Sequence, residues 1–290
     1  MFDNIFAAIE KWMRELLTGM VESNMSTMFT DVNEKTSEIA AQVGRTPQNW
    51  NSSVFSTIQN LSESVVVPIA GIIITLVLCY ELISMLTERN NLHDVDTWMF
   101  FKYFVKAWVA IYLVSNTFTI TMAVFDVGQS VVNSASGIIN GETAIDVSSL
   151  SMQMQAAMAT MEIGELVVLA LETFLVSFCM KIMSVVITVI VYGRMIEIYL
   201  YTSLAPIPFA TMSNREWGHV GTNYFRGLFA LAFQAFLMMV CVAIYAALIS
   251  SVRISSNMHS ALIGVAAYTV ILCFSLMKTG SLSKQIFGSH

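Results

Sequence analysis

Residues 165–194 read ELVVLALETFLVSFCMKIMSVVITVIVYGR, and between Glu165 and Arg194 the only charges are Glu172 and Lys181. A helix needs ~20 residues to cross ~30 Å of hydrocarbon, so a nearly uncharged run of this length is a transmembrane candidate. A lysine half-way along such a helix costs roughly 2.5–3.5 kcal/mol on insertion scales. That cost is tolerated only where the ammonium meets protein or water. The stretch therefore puts the chain in a membrane and gives it a task that a plain anchor would not need.

The rest of the chain agrees. Hydrophobic residues make up 56% of the 290 and charged residues 12%, against about 25% charged in a soluble domain. Five runs are long and apolar enough to span: Ser64–Thr87, Ala107–Phe125, Leu166–Gly193, Gly227–Val252 and Ser260–Met277. A sixth, Ile198–Met212, is shorter and holds Pro206 and Pro208. Proline removes a backbone donor and breaks the preceding turn, so this stretch reads as a broken, re-entrant or interfacial segment. The expected fold is an all-α polytopic membrane protein with an amphipathic region over 1–63 and a transmembrane domain over 64–287.

Lysine and arginine placement orients it. With five spans and the N-terminus outside, Arg89, Lys102, Lys106, Arg194, Arg215, Arg226, Lys278 and Lys284 face the cytoplasm, and Arg253 alone lies outside beyond the N-terminal tail. A sixth crossing would abolish that bias. The connection 126–164 carries four acids and no Lys or Arg, which also puts it outside. It is too long for an unstructured loop, and it reads as two helices, one ending at Asn140-Gly141 and one over Ser148–Glu162. The first long apolar run begins only at Ser64, too far along for a cleaved leader. The expected location is the bacterial cytoplasmic membrane, N-terminus out and C-terminus in.

At 100° per residue, Phe2, Phe6, Ile9, Trp12, Met13 and Leu16 share an arc of about 140° with Ile5, Leu17 and Met20. This N-terminal helix suits a membrane surface or a neighbouring subunit. On the third span, Thr173, Ser177, Lys181, Ser184 and Thr188 form a polar stripe about 80° wide. Glu172 lies about half a turn from Lys181, so the two face different neighbours. The stripe reads as the lining of a hydrated path or as a subunit interface, against the plainer alternative of interhelical hydrogen bonds and a snorkelling lysine. Glu81 is expected to reach interfacial water.

Catalytic and metal signatures are absent: no Walker A loop, no GxSxG, no HExxH. The four cysteines lie apart inside spans, as packing residues do. Met152, Met154, Met158 and Met161 could hold Cu(I), but methionine fills packing positions throughout this chain. The expectation is a non-enzyme without cofactor, with bound lipid its one small-molecule companion. A net charge of −6 argues against general nucleic-acid affinity without excluding a local basic patch.

Several stretches carry a resemblance: Val67-Pro68-Ile69-Ala70-Gly71 with Cys79-Tyr80-Glu81, then Ala123-Val124-Phe125-Asp126, Ser203–Pro208, and Glu216-Trp217-Gly218-His219-Val220-Gly221. In order and hydropathy, over nearly the whole chain, they resemble the TrbL/VirB-type polytopic subunit of conjugative type IV secretion systems, in the version found on conjugative elements of Gram-positive bacteria. The resemblance implies a homo-oligomeric component of the DNA-transfer channel. Its partners would be secretion ATPases, a coupling protein, lipids and, in transit, single-stranded DNA with its relaxase. An ion-coupled secondary transporter and a scaffold without a conduit are the alternatives. A transporter would show two related halves, and no internal repeat is present.

Overall fold

The computed structural model describes residues 2–87, 97–139, 147–251 and 258–289. Every regular element among them is a helix. Five are long and apolar enough to cross a bilayer: Ser52–Thr87, Thr97–Ser115, Ile163–Ser203, Gly218–Ser250 and Met258–Ile286.

The chain opens on a single helix, α1 (Phe2–Val43). It stops where Gly44 and Thr46-Pro47 interrupt the pattern. The Thr46 hydroxyl accepts from the Asn49 N–H at 3.2 Å and Pro47 takes the first helical position of α2 (Pro47–Trp50), where its missing N–H costs nothing. Asn51 caps α3 (Ser52–Leu61) through the N–H groups of Ser53 and Val54. One π-helical turn, Ser62–Val66, joins α3 to α4 (Val67–Thr87). Pro68 lacks the N–H that would extend a regular ladder there, a recognised cause of such turns.

The second span differs from the sequence expectation. Its candidate is α5 (Thr97–Ser115), and α6 (Thr117–Ile139) begins after Asn116. Asn116 and Thr117 turn their side chains onto the carbonyls of Tyr112 and Leu113, and such back-bonding bends helices. The apolar run 107–125 therefore straddles two helices. After α7 (Val147–Ala159) comes α8 (Ile163–Ser203), whose 41 residues measure about 60 Å. Then follow α9 (Pro206–Thr211), α10 (Gly218–Ser250) and α11 (Met258–Ile286).

The chain groups into two compact units, otherwise than by a division at residue 63. Unit 1 comprises Met1–Val43, Ser134–Val191 and Met238–Lys278, and unit 2 comprises Gly44–Asn133, Tyr192–Leu237 and Thr279–His290. In unit 1, Val21, Met25 and Met28 of α1, Leu166 and Leu169 of α8, Met238 of α10 and Val265 of α11 are buried, each 1% exposed or less. In unit 2, Ala70, Ile74 and Leu78 of α4 pack with Phe209 and Ala210 of α9 and with Tyr224. Pro206 is buried there, so the broken segment folds onto apolar side chains. The chain reverses into α10 where Asn214 Oδ1 accepts from the N–H groups of Glu216 (2.7 Å) and Trp217 (3.1 Å). Glu81 does not end in water: it pairs with Lys106 between α4 and α5, because two opposite charges on facing helices satisfy each other more cheaply than either can alone.

Candidate functional site

In unit 1, α1 lies alongside α8, and their hydrogen bonds fix the register. Arg14 Nη1 donates to the Met161 carbonyl at 2.8 Å, Ser177 Oγ donates to the Asn24 carbonyl at 3.2 Å, and Lys35 Nζ donates to Thr188 Oγ1 at 3.1 Å. Residue numbers rise together on both helices, so the two run parallel. From Asn24 to Lys35 and from Ser177 to Thr188 the spacing is equal, because both helices rise ~1.5 Å per residue.

This pairing gives part of the polar stripe its partners within the chain. Thr173 is 1% exposed and meets Asn24 Nδ2 at 3.5 Å. Ser177 and Thr188 have the α1 partners just described, and Ser184 faces α1 across a small cavity. Three of the five stripe residues, Thr173, Ser177 and Thr188, thus have partners on α1 of the same chain. The cavity wall mixes apolar Val32, Met180, Ile187 and Leu272 with Asp31, Lys35 and Thr36 of α1, Ser184 of α8, Tyr245 of α10 and Thr269 of α11. Tyr245 and Thr269 share a hydrogen bond of 2.9 Å, and Lys35 is paired with Glu38 on its own helix.

Lys181 is the exception. It is exposed and makes no hydrogen bond or ion pair among the described residues. Its helical neighbours on the outward face are Phe174, Phe178 and Val185, each more than half exposed. Glu172 lies elsewhere on α8 and pairs with His259 at the start of α11. No local spacing links positions 172 and 259, so the sequence alone does not announce this pair. The α1 partners were more legible. Asn24, Asp31 and Lys35 fall within an arc of about 40°, which marks a polar face aimed at one neighbour.

On the first turns of α1, Phe6, Ile9, Trp12 and Leu16 are 69%, 48%, 61% and 47% exposed, and Met13 is half-buried. The Phe2 side chain lies outside the described residues, as do Arg89 and Arg253 of the charge bias. Farther along, the face of α1 turned from α8 is polar or small: Ser23, Ser26, Thr27, Thr30, Glu34 and Ser37 are all exposed. Among the methionines of α7, Met154 and Met158 are buried at 2% and 1% while Met152 is 67% exposed. That is a packing face, and no group of three His, Cys, Asp or Glu side chains able to hold a metal occurs among the described residues.

Unit 2 holds a second polar cluster. Arg194, 7% exposed, donates from Nη2 to the Leu231 carbonyl at 3.4 Å, and its Nε has no partner among the described residues. Glu197, one turn on, is held by Lys284 at 2.9 Å. Gln234 donates to Thr279 at 3.4 Å, and its buried Oε1 is unmatched among the described residues. This cluster ties the unit 2 parts of α8, α10 and α11 together.

The helices and their apolar spans define the class: an all-α polytopic membrane protein. Residues 32–206 match the family described as TrbL/VirB6 plasmid conjugal transfer like protein. That match covers more than half of the chain, which belongs to this family of conjugal-transfer, type IV secretion-related membrane subunits. No curated protein and no solved structure matches it.

Proposed function

We propose that the protein is the oligomeric membrane subunit around which a conjugative type IV secretion channel is built, helping DNA and its attached protein across the cytoplasmic membrane. It would work beside the secretion ATPases and a coupling protein. The observation that carries this reading is Lys181, an unmatched ammonium on the outward face of a span helix. A lone protomer in lipid has no means of satisfying it, and neighbouring copies or water do. Lysine to leucine at 181 removes only that charge. Lys181→Leu is expected to insert and accumulate in the membrane at the parental level, while transfer frequency in a mating assay falls by an order of magnitude or more. Unchanged transfer together with an unchanged oligomer would remove the support.

The N-terminus and α7 are proposed to lie outside and the end of α11 inside. Arg14 reaches the Met161 carbonyl just beyond α7, which keeps the start of α1 and the end of α7 on one side. A cysteine at Met152, 67% exposed, is expected to react with an impermeant maleimide on intact cells. Labelling only after permeabilisation would invert the orientation.

A scaffold without a conduit has one observation in its favour: the outward face of α8 is bulky and apolar, as a lipid-sealed surface would be. Water accessibility of α1 decides between them. Cysteines at Ser23 and Thr30 react readily in an assembled conduit and stay protected in a lipid-sealed scaffold.

A further inference from the structure

We propose that the start of α1 is a self-association ridge: Ile5, Ile9, Trp12 and Leu16 of one copy pack against the same residues of a neighbouring copy, the two helices running parallel. This rests on the oligomeric reading above and names a contact through which copies join.

Asn4 to Trp12 are exposed without interruption, although Ile5, Phe6, Ile9 and Trp12 are among them. The bond from Arg14 to the Met161 carbonyl gives the reason. It sets Arg14 level with the approach to α8, which begins at Ile163, so the earlier residues of α1 reach past the start of that helix. Val21, Met25, Met28 and Val32 are buried and mark the core side of α1. Ile5, Ile9, Trp12, Leu16 and Met20 are between 46% and 61% exposed, and at 100° per residue they centre about 150° from that side. Ala7, which points in the core direction, is exposed with the rest. The ridge is therefore a second apolar face and no overhang of the unit 1 core. Past Met20 the same face carries Ser23, Thr27 and Thr30, so the bulk is confined to the start of the helix.

The bilayer does not suit this ridge. A helix bound at a membrane surface lies in its plane, whereas α1 is unbroken from Phe2 to Val43 and runs parallel to α8, a span candidate. Glu10, Lys11, Arg14 and Glu15 stand near the level of Glu162 and Glu165 at the start of α8, and such a band of charge is costly in hydrocarbon. The turns before it extend away from the span, where apolar side chains are left in water. Protein is the cover that removes them from it. A second copy supplies that cover: copies in one membrane share an orientation, so their α1 starts reach the same level, parallel and in register. The steps of four, three and four residues from Ile5 to Ile9, Trp12 and Leu16 are those of a parallel helix seam. In that seam Arg14 falls opposite the contact, where it is free to hold Met161, and Glu10 and Lys11 stay in water.

Cysteine cross-linking tests it in the full chain, with Cys79, Cys179, Cys241 and Cys273 replaced by alanine and membranes treated with a short bis-maleimide. Ile9→Cys and Leu16→Cys are each expected to give covalent dimers as the main product. Lys11→Cys is the control: that side chain is 78% exposed but sits about 140° round the helix from the ridge, and it is expected to stay monomeric. Adding Ile9→Glu is expected to abolish the Leu16→Cys dimer without loss of protein from the membrane, since Ile9 is exposed in the single chain. Particle mass of the parental protein in nanodiscs separates this inference from the reading it rests on. If that particle is oligomeric but neither ridge cysteine cross-links, the inference is overturned and the channel reading stands, with the ridge left to a different protein. The same holds if Lys11→Cys links as readily as the ridge positions, or if Ile9→Glu leaves the Leu16→Cys dimer intact. A parental particle that is itself monomeric overturns both.

Discussion

Gly221→Val is expected to disrupt the corner between α9 and α10 and to abolish a stable protein. A Cβ on Gly221 would lie 2.5 Å from the Pro208 carbonyl oxygen and 2.1 Å from Met212 Cγ. The methionine can rotate, but the carbonyl is backbone in a short helix whose Pro206, Phe209 and Ala210 are buried. Relief requires α9 to leave its seat on Ala70, Ile74 and Leu78. Overpacking of a filled site costs about 1–3 kcal/mol, and more where backbone must move; a branched side chain here belongs at the upper end. Gly71→Ala is the control, since a Cβ there meets nothing within 4 Å and the exchange favours helix by about 1 kcal/mol. Melting in detergent, followed by size-exclusion chromatography, separates them. A Gly221→Val protein that melts with the Gly71→Ala protein would show that the corner is not packed as described.

Val21→Asp carries the second large effect. Val21 is fully buried in unit 1, on the face of α1 that meets α8 and the core. A carboxylate there has no cationic partner, and stranding a buried charge costs roughly 3–5 kcal/mol. The expected outcome is release of α1: proteolysis within residues 1–43 becomes fast while the five-span remainder stays in the membrane fraction. Ser23→Asp, two positions on and exposed, is expected to leave protease resistance unchanged. Equal resistance of both variants would mean that α1 is a peripheral arm and that the α1–α8 register does not hold.

The two predictions probe what was least and most legible. The break at Pro206 and Pro208 announces itself through residue chemistry, yet only the fold shows that Gly221 is the position closed against it. The third span was readable from hydropathy alone, and its stripe of Thr173, Ser177, Ser184 and Thr188 from angular spacing. The identity of the stripe's partner was not, because α1 and α8 stand far apart in sequence. The moderate polarity of α1 sets it apart from the apolar runs, so a scan for membrane helices passes over it. The apolar run 107–125 does not show where one helix ends, because the break after Ser115 falls inside an unbroken apolar stretch.

Hydropathy, proline chemistry and charge content by themselves determined that this chain is helical, multi-pass and obliged to satisfy a lysine inside a span. These follow from the free energy of moving single groups out of water, which depends on residue type and on neighbours a few positions away. Tertiary structure alone decided which polar groups satisfy one another. It matched hydroxyls of α8 to α1, gave Glu172 to His259 and Glu81 to Lys106, and left Lys181 outside. Pairing depends on which helices meet and at what register, and in this chain that is settled by core packing among segments distant along the chain.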